Sequence, residues 1–195
     1  MALTIPTLAP GLRIAVIGDG AQQVAVELGI STCELDDADG AIFIASSIAG
    51  ISDSTKAFWA KARDLYIPSI VVVKDFENGE IDFDDMAAIA GRILDPVVTP
   101  YLVLHSDDGA PVALIELETL KLFDYASGNR EIRVSEPEHQ ELVKEFAYEF
   151  NEKVSEFGPT GFQDALIFPS IPYIEKIHMG KIEILEYLAQ LPARG

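Results

Sequence analysis

The chain is 195 residues long, with 49% hydrophobic and 24% charged residues, a composition with which one globular domain buries a core without disulfide or metal support. Its 14 Lys and Arg residues are outnumbered by 32 Asp and Glu residues, and the net charge is −18. Because nucleic acids and anionic membranes are bound mainly through Lys and Arg, this imbalance argues against both as direct partners. The single cysteine, Cys33, is typical of a reducing compartment. No targeting segment and no apolar run of about 20 residues is recognisable, so we expect a cytoplasmic protein.

The first half of the sequence alternates short apolar runs with amphipathic stretches. The apolar runs are rich in Val, Ile and Ala, and they predict strands at residues 13–17, 41–45, 69–73 and 101–105. The stretches between them predict helices at residues 21–29, 52–65 and 82–94. Since the strands are almost continuously apolar, we expect a parallel sheet that is covered by helices on both faces.

The pattern changes after Ser106. The sequence Asp107-Asp108-Gly109 predicts a hairpin turn, and it introduces an antiparallel meander with strands at residues 112–117, 121–125 and 131–134. A long acidic amphipathic helix is predicted over residues 137–157. Finally, an apolar piece at 165–168 is interpreted as the last central strand, and residues 182–191 as a closing helix.

These elements predict an α/β fold in which a doubly wound, mainly parallel sheet carries an inserted small α+β subdomain. The core domain would comprise residues 1–105 and 161–195, and the insert residues 106–160. In a doubly wound sheet, ligands bind beyond the carboxyl ends of the strands. The loop after the first strand is therefore the first place to look for a site.

That loop, residues 18–23 with the sequence GDGAQQ, fits two phosphate-binding patterns incompletely. The dinucleotide fingerprint GxGxxG would have Gln23 in place of its third glycine, with the acidic residues at 34–37 as ribose partner. A mononucleotide P-loop needs a Lys followed by Ser or Thr, but residues 14–55 contain no Lys or Arg. Asp19 also puts a negative charge where a polyphosphate would lie. The simplest interpretation is a tight strand-to-helix turn that needs glycine for its backbone geometry.

A series of motifs follows from the second strand onward. Residues 39–45 read DGAIFIA, residues 50–59 read GISDSTKAFW, residues 66–73 read YIPSIVVV and residues 82–84 read DFD. These stretches resemble the GTPase domain of the elongation factor G family, with weaker similarity at Pro100, at residues 115–117 and in the final helix. The resemblance covers most of the chain and implies a sheet of the P-loop GTPase type.

The resemblance also implies candidate site residues, although the family's motifs are incomplete at each of them. The phosphate loop corresponds to Gly18, Asp19, Gly20, Ala21 and Gln22, and the positions of its Lys and Thr fall near Val24 and Ala25. The guanine motif NKxD corresponds to residues 74–77, where Lys74, Asp75 and Glu77 are the candidates. Ser170 falls in the loop behind the base.

The switch regions of the family have no counterpart in this sequence. The segment between the first helix and the second strand is too short for the switch I threonine or for the DxxGH motif of switch II. Those elements hold Mg²⁺, position the attacking water and couple hydrolysis to a change of shape. We therefore expect a pseudo-GTPase without catalytic residues or a cofactor, which acts as a protein-interaction or regulatory module and is linked to translation by the resemblance.

Three alternatives stay open. The domain could retain GTP or GDP with Mg²⁺ through a non-standard loop, it could bind a dinucleotide, or it could be an active GTPase in which Lys74 replaces the phosphate Lys. A metal site is not expected, because His105, His139 and His178 have no ligand spacing. A protein is the expected partner, and the sequence predicts neither its identity nor the oligomeric state.

Overall fold

A computed structural model describes residues 5–193, which form eight strands and five helices. The strands are β1 (Ile14–Ile17), β2 (Gly40–Ser46), β3 (Ser69–Lys74), β4 (Tyr101–His105), β5 (Pro111–Glu116), β6 (Lys121–Asp124), β7 (Glu131–Val134) and β8 (Ser170–Pro172). The helices are α1 (Ala21–Leu28), α2 (Asp53–Asp64), α3 (Phe83–Ile93), α4 (Pro137–Phe157) and α5 (Lys181–Leu188). Helix α4 has the bounds predicted from the sequence, and β1 to β3 agree with theirs to within one residue.

The first sheet is parallel throughout, as the continuous apolar strands predict. Its strand order is β1-β2-β3-β8. Every residue of β2 is buried, and β3 is buried up to its last residue, Lys74, which is partly exposed. Helices α2 and α3 pack against β2, while α1 packs against β1 and α5. This sheet and its helices form the main core.

The second sheet is antiparallel, with the strand order β4-β5-β6-β7. The predicted hairpin turn at residues 107–109 joins β4 to β5, and this prediction is confirmed. The prediction that residues 101–105 continue the parallel sheet is wrong, because β4 pairs antiparallel with β5. A tight turn returns the chain directly onto the strand it leaves, whereas a parallel neighbour needs a long crossover connection.

The last strand of the parallel sheet also differs from its predicted position. Strand β8 pairs with β3, while residues 165–168 form a turn and an irregular connection in which Ala165 has a φ of +55°. Phe168 is buried because its ring lies edge-on to that of Trp59, with the centroids 5.0 Å apart. A buried turn gives the same short apolar run as a buried strand, which explains the error.

Helix α4 is amphipathic. Its buried residues, Val143, Ala147 and Phe150, recur at helical spacing, and its remaining surface carries most of its charged residues. Within residues 5–193, no helix has both the length and the apolar character needed to cross a bilayer.

A buried ionic cluster joins α5 to the chain around the second sheet. The Tyr125 hydroxyl donates to the completely buried carboxylate of Glu183, 2.6 Å from each oxygen. The guanidinium of Arg130 lies 3.4 Å from Glu183 and 2.7 Å from Glu186, and it stacks over the Phe123 ring at 3.9 Å. Burial raises the pKa of the Glu183 carboxyl, and Arg130 and Tyr125 counteract this effect. The negative charge of Glu183 is tolerated in the interior because Tyr125 and Arg130 pair with it. Both residues lie in the connection between β6 and β7.

Removing the cation of this cluster should strongly destabilise the fold. We expect Arg130→Met to lower the free energy of unfolding by roughly 3 kcal/mol, because a buried carboxylate is left without its partner. The double variant Arg130→Met/Glu183→Gln should recover much of this loss, since a neutral amide needs no cation. Urea denaturation followed by circular dichroism measures both effects.

The control is Arg133→Met, which removes an arginine with a 56% exposed side chain from β7. Its effect should be much smaller than that of Arg130→Met, as is usual for exposed ion pairs. Equal losses for the Arg130 and Arg133 variants would contradict the role assigned to the buried cluster.

Candidate functional site

The candidate site lies at the carboxyl edge of the parallel sheet, where doubly wound folds bind their ligands. Residues 18–20 follow β1, residues 47–50 follow β2 and residues 75–79 follow β3. The pairing register of β2 and β3 places Ser46 directly beside Lys74 at the end of the sheet. The loops after these three strands therefore begin side by side.

The loop between β1 and α1 depends on two glycines. Gly18 has a φ of +121°, and a Cβ atom there would lie 2.9 Å from both the Cβ and the carbonyl oxygen of Ile44. Gly20, with a φ of +73°, is the N-cap of α1 in the left-handed conformation. The loop thus runs so close to β2 that position 18 has no room for a side chain.

The side chain of Lys74 reaches from the end of β3 into this loop. Its Nζ lies 3.2 Å from Asp19 Oδ2 and 3.1 Å from Asp75 Oδ2, and 3.0 Å from the position that a Cβ of Gly20 would occupy. Partial burial lowers the pKa of Lys74, but the hydrogen bonds to Asp75 and Asp19 outweigh it and raise the pKa above its ordinary value. The ammonium group is therefore charged at neutral pH, and two carboxylates neutralise it.

Asp75 is itself held in place by the end of β2. It has a φ of +65°, which a non-glycine residue rarely adopts. The Ser46 hydroxyl donates to Asp75 Oδ2 at 2.5 Å and accepts the backbone N–H groups of Ile48 and Ala49 at 3.2 and 3.0 Å. Ser46 and Lys74 thus tie the loops after β1, β2 and β3 into one unit.

A cavity of about 290 Å³ opens beside Lys74. It lies between the start of α1, the loop after β3 and the segment after β8, and its lining residues are Gly20, Gln23, Val24, Lys74, Asp75, Glu77, Tyr173, Glu175 and Lys176. Burial raises the pKa of Glu77, and the charge of Asp75 adds to the effect. With three carboxyl groups and two ammonium groups on its wall, the cavity is polar but not cationic.

The structure brings part of the predicted site together. Gly20, Lys74, Asp75 and Glu77 line the same cavity, and Lys74 binds Asp19. Three other predicted residues of the loop, Gly18, Asp19 and Ala21, line a second cavity of about 610 Å³.

Two predicted residues lie outside the linings of both cavities. Gln22 is exposed on α1, and Ser170 is fully buried in β8. The proposed ribose partners separate as well, since Glu34 lines the second cavity while Asp36 forms an ion pair with Lys61 at 2.5 Å. In the described part of the chain, no three His, Cys, Asp or Glu residues are grouped so that they could hold a metal ion.

Ser46 and the cavity residues that follow β8 were not among the residues predicted from the sequence. Ser46 ends a strand whose other residues are apolar. A polar side chain at that place in the sequence was the signal that could have indicated its role. Tyr173, Glu175 and Lys176 follow the strand that was predicted too early in the chain, so nothing placed them at the carboxyl edge.

Comparisons with known proteins show which proteins resemble this chain in sequence and in fold. No protein-family model matches the chain. Two curated relatives, each an elongation factor G-like protein of Mycobacterium tuberculosis (strains CDC 1551 / Oshkosh and ATCC 25618 / H37Rv), are 25% identical to it over 173 residues, which cover 76% of this chain and 24% of theirs. The chain therefore spans about a quarter of the length of these relatives.

A solved structure shares the architecture. The crystal structure of ttk003000868 from Thermus thermophilus superposes with a TM-score of 0.70 and 23% sequence identity, covering 90% of this chain and 29% of that chain. The chain is thus distantly similar to elongation factor G-like protein, in agreement with the resemblance seen in its motifs, and it has the mixed α/β fold of part of the Thermus protein.

The close approach of the loop to β2 predicts a strong effect of a single methyl group. Gly18→Ala should lower the free energy of unfolding by roughly 3 kcal/mol, because the new Cβ combines a steric overlap with Ile44 and an unfavourable φ. Thermal and urea denaturation measure the change.

Gly29→Ala is the matched control for this variant. Gly29 also has a positive φ, +69°, but a Cβ there meets nothing within 4 Å, so only the backbone cost of about 1 kcal/mol should appear. If both variants lose the same stability, the contact between the loop and β2 does not constrain position 18.

Proposed function

We propose that this chain is a translation-factor-like domain of the GTPase type that does not hydrolyse GTP and acts by binding a protein partner. The observation that carries the proposal is the ammonium group of Lys74, which lies beside Gly20 and is paired with both Asp19 and Asp75. The distant similarity to elongation factor G-like protein supports the type of domain.

The charges at the loop support the absence of triphosphate binding in this proposal. Unit charges 4 Å apart near a protein surface interact by about 4 kcal/mol, whereas a helix N-terminus such as that of α1 contributes about 0.3–1 kcal/mol toward an anion. Asp19 and Asp75 already compensate the charge of Lys74 and would repel a phosphate at the same place. The repulsion therefore exceeds the attraction that the helix offers.

The connection between α1 and β2 supports the same conclusion for catalysis. The chain crosses from α1 to β2 within residues 29–39, which include one short 3₁₀ turn at Leu35–Asp37. GTP hydrolysis needs groups that hold Mg²⁺ and orient a water molecule. For those tasks this connection contains one threonine, Thr32, and no glycine-rich motif.

A second candidate function is nucleotide binding without the standard motif. It is favoured by the position of Lys74, whose ammonium lies beside the loop that opens α1 and on the wall of the 290 Å³ cavity. In this alternative, Lys74 would leave Asp19 and Asp75 and bind a phosphate of GTP or GDP.

Calorimetric titration of the chain with Mg²⁺–GTP and Mg²⁺–GDP separates the two functions. The proposal predicts no binding with a dissociation constant below about 1 mM and no phosphate release above the buffer rate. Micromolar binding with turnover would overturn it.

The variants Lys74→Ala and Lys176→Ala add a control, because both remove a lysine from the same cavity. Nucleotide binding through Lys74 would be lost in the first variant and kept in the second. Under the proposed function, neither variant changes the titration.

A further inference from the structure

Strand β1 is the outer strand of the parallel sheet, and its free edge is only partly covered. Beside it runs the segment at residues 32–33, which makes an isolated parallel bridge between Thr32 and Ile14. The backbone N–H of Cys33 donates to the Ile14 carbonyl at 3.1 Å. Within residues 5–193, no pairing on this side extends past Ile14.

Among the described residues, none pairs with the outward backbone groups of Val16. In a β-strand, successive residues direct their N–H and C=O groups to opposite edges. The Arg13 carbonyl accepts from Gly40 on the β2 side, at 3.3 Å, and the Ile14 carbonyl accepts on the outer side. By alternation, Ala15 and Ile17 face β2, and Val16 presents one donor and one acceptor to the outer edge.

The 610 Å³ cavity lies along this open edge. Its wall combines the end of β1, the segment beside it and the start of α2, and it includes Val16, Ile17, Asp19, Glu34 and Phe58. Val16 and Ile17 are partly exposed, and Phe58 is 41% exposed. The cavity therefore offers apolar side chains next to unpaired backbone groups, the surface that an added strand uses.

The charge of this surface is negative. Asp19, which also pairs with Lys74, and the exposed Glu34 line the cavity, and no Lys or Arg of residues 5–193 does. Residues 14–55, which supply the whole lining of the cavity except Phe58, contain no basic residue. An occupant that complements the surface carries positive charge.

We propose that an extended, basic segment of a protein partner adds to the free edge of β1 and pairs with Val16. An extended strand is the occupant because the open groups belong to the backbone, and the interior backbone groups of a helix are already paired within the helix. Alternate side chains of the strand contact Ile17 and Phe58, and its basic side chains face Asp19 and Glu34. This inference specifies the partner and so rests on the protein-binding part of the proposed function.

The test uses the ¹⁵N-labelled full chain and a capped peptide of alternating Lys and Val, about ten residues long and thus longer than β1. Nuclear magnetic resonance should show shift changes at Val16 and its neighbours, and the exchange of the Val16 amide should slow by at least about tenfold. A peptide of alternating Glu and Val, and a Lys-Val peptide with alternate backbone nitrogens methylated, should have no effect. The inference is wrong if the Lys-Val peptide does not bind, or if it binds without protecting Val16.

Two kinds of variants check the contacts. Val16→Pro removes the outward N–H at an edge position, where proline is tolerated, and should abolish peptide binding. Glu34→Lys, an exposed change that keeps the backbone intact, should weaken binding at least about fivefold, and the matched charge change Glu145→Lys on exposed α4 should leave it unchanged. Equal weakening by both Lys variants would overturn the contact assigned to Glu34, because the net charge alone would then explain the effect.

The outcome is distinguishable from that of the proposed function. Nucleotide binding with turnover would overturn the pseudo-GTPase without affecting the protection of Val16. Failure of the peptide to bind would overturn the strand-addition surface and leave the nucleotide titration as it is.

Discussion

The burial of β2 is the constraint on which the rest of the structure depends. This strand pairs with β1 on one side and β3 on the other, and none of its residues is exposed. Because both faces are apolar, helices must cover both. The pairing of β2 with β3 places Ser46 beside Lys74. That register sets where the loops at the carboxyl edge begin, and Gly18 is required because its loop runs against Ile44 of the same strand.

The chemistry of the carboxyl edge follows from this placement. Lys74 is the last residue of β3, and its ammonium bridges Asp19 of one loop and Asp75 of the next. A lysine in this position stabilises the loops against one another, and its positive charge is already compensated by the two carboxylates. At this edge, where many α/β folds bind nucleotides, the ammonium group is paired with two carboxylates, and the negative surface continues from there toward the free edge of β1.

The sequence predicted the elements of the parallel sheet well and their partners less well. Strands β2 and β3 are found where their apolar runs predict them, because burial on both faces leaves a distinct signal. That signal does not say with which strand a run pairs, so residues 101–105 were placed in the wrong sheet. The contact between Lys74 and Asp19 could not be predicted, because it depends on how β1, β2 and β3 pair, which the apolar runs do not specify. Tyr173 and Glu175 were missed because β8 begins later than the apolar run suggests.

The most direct measurement is a crystal structure of the chain grown with millimolar Mg²⁺ and a non-hydrolysable GTP analogue. If Lys74 serves only to join the loops through its two carboxylate partners, its Nζ stays at 3.2 Å from Asp19 and 3.1 Å from Asp75. No triphosphate is then ordered beside Gly20. An ordered triphosphate on residues 18–20, with Lys74 turned away from Asp19 and Asp75 toward it, would contradict the account.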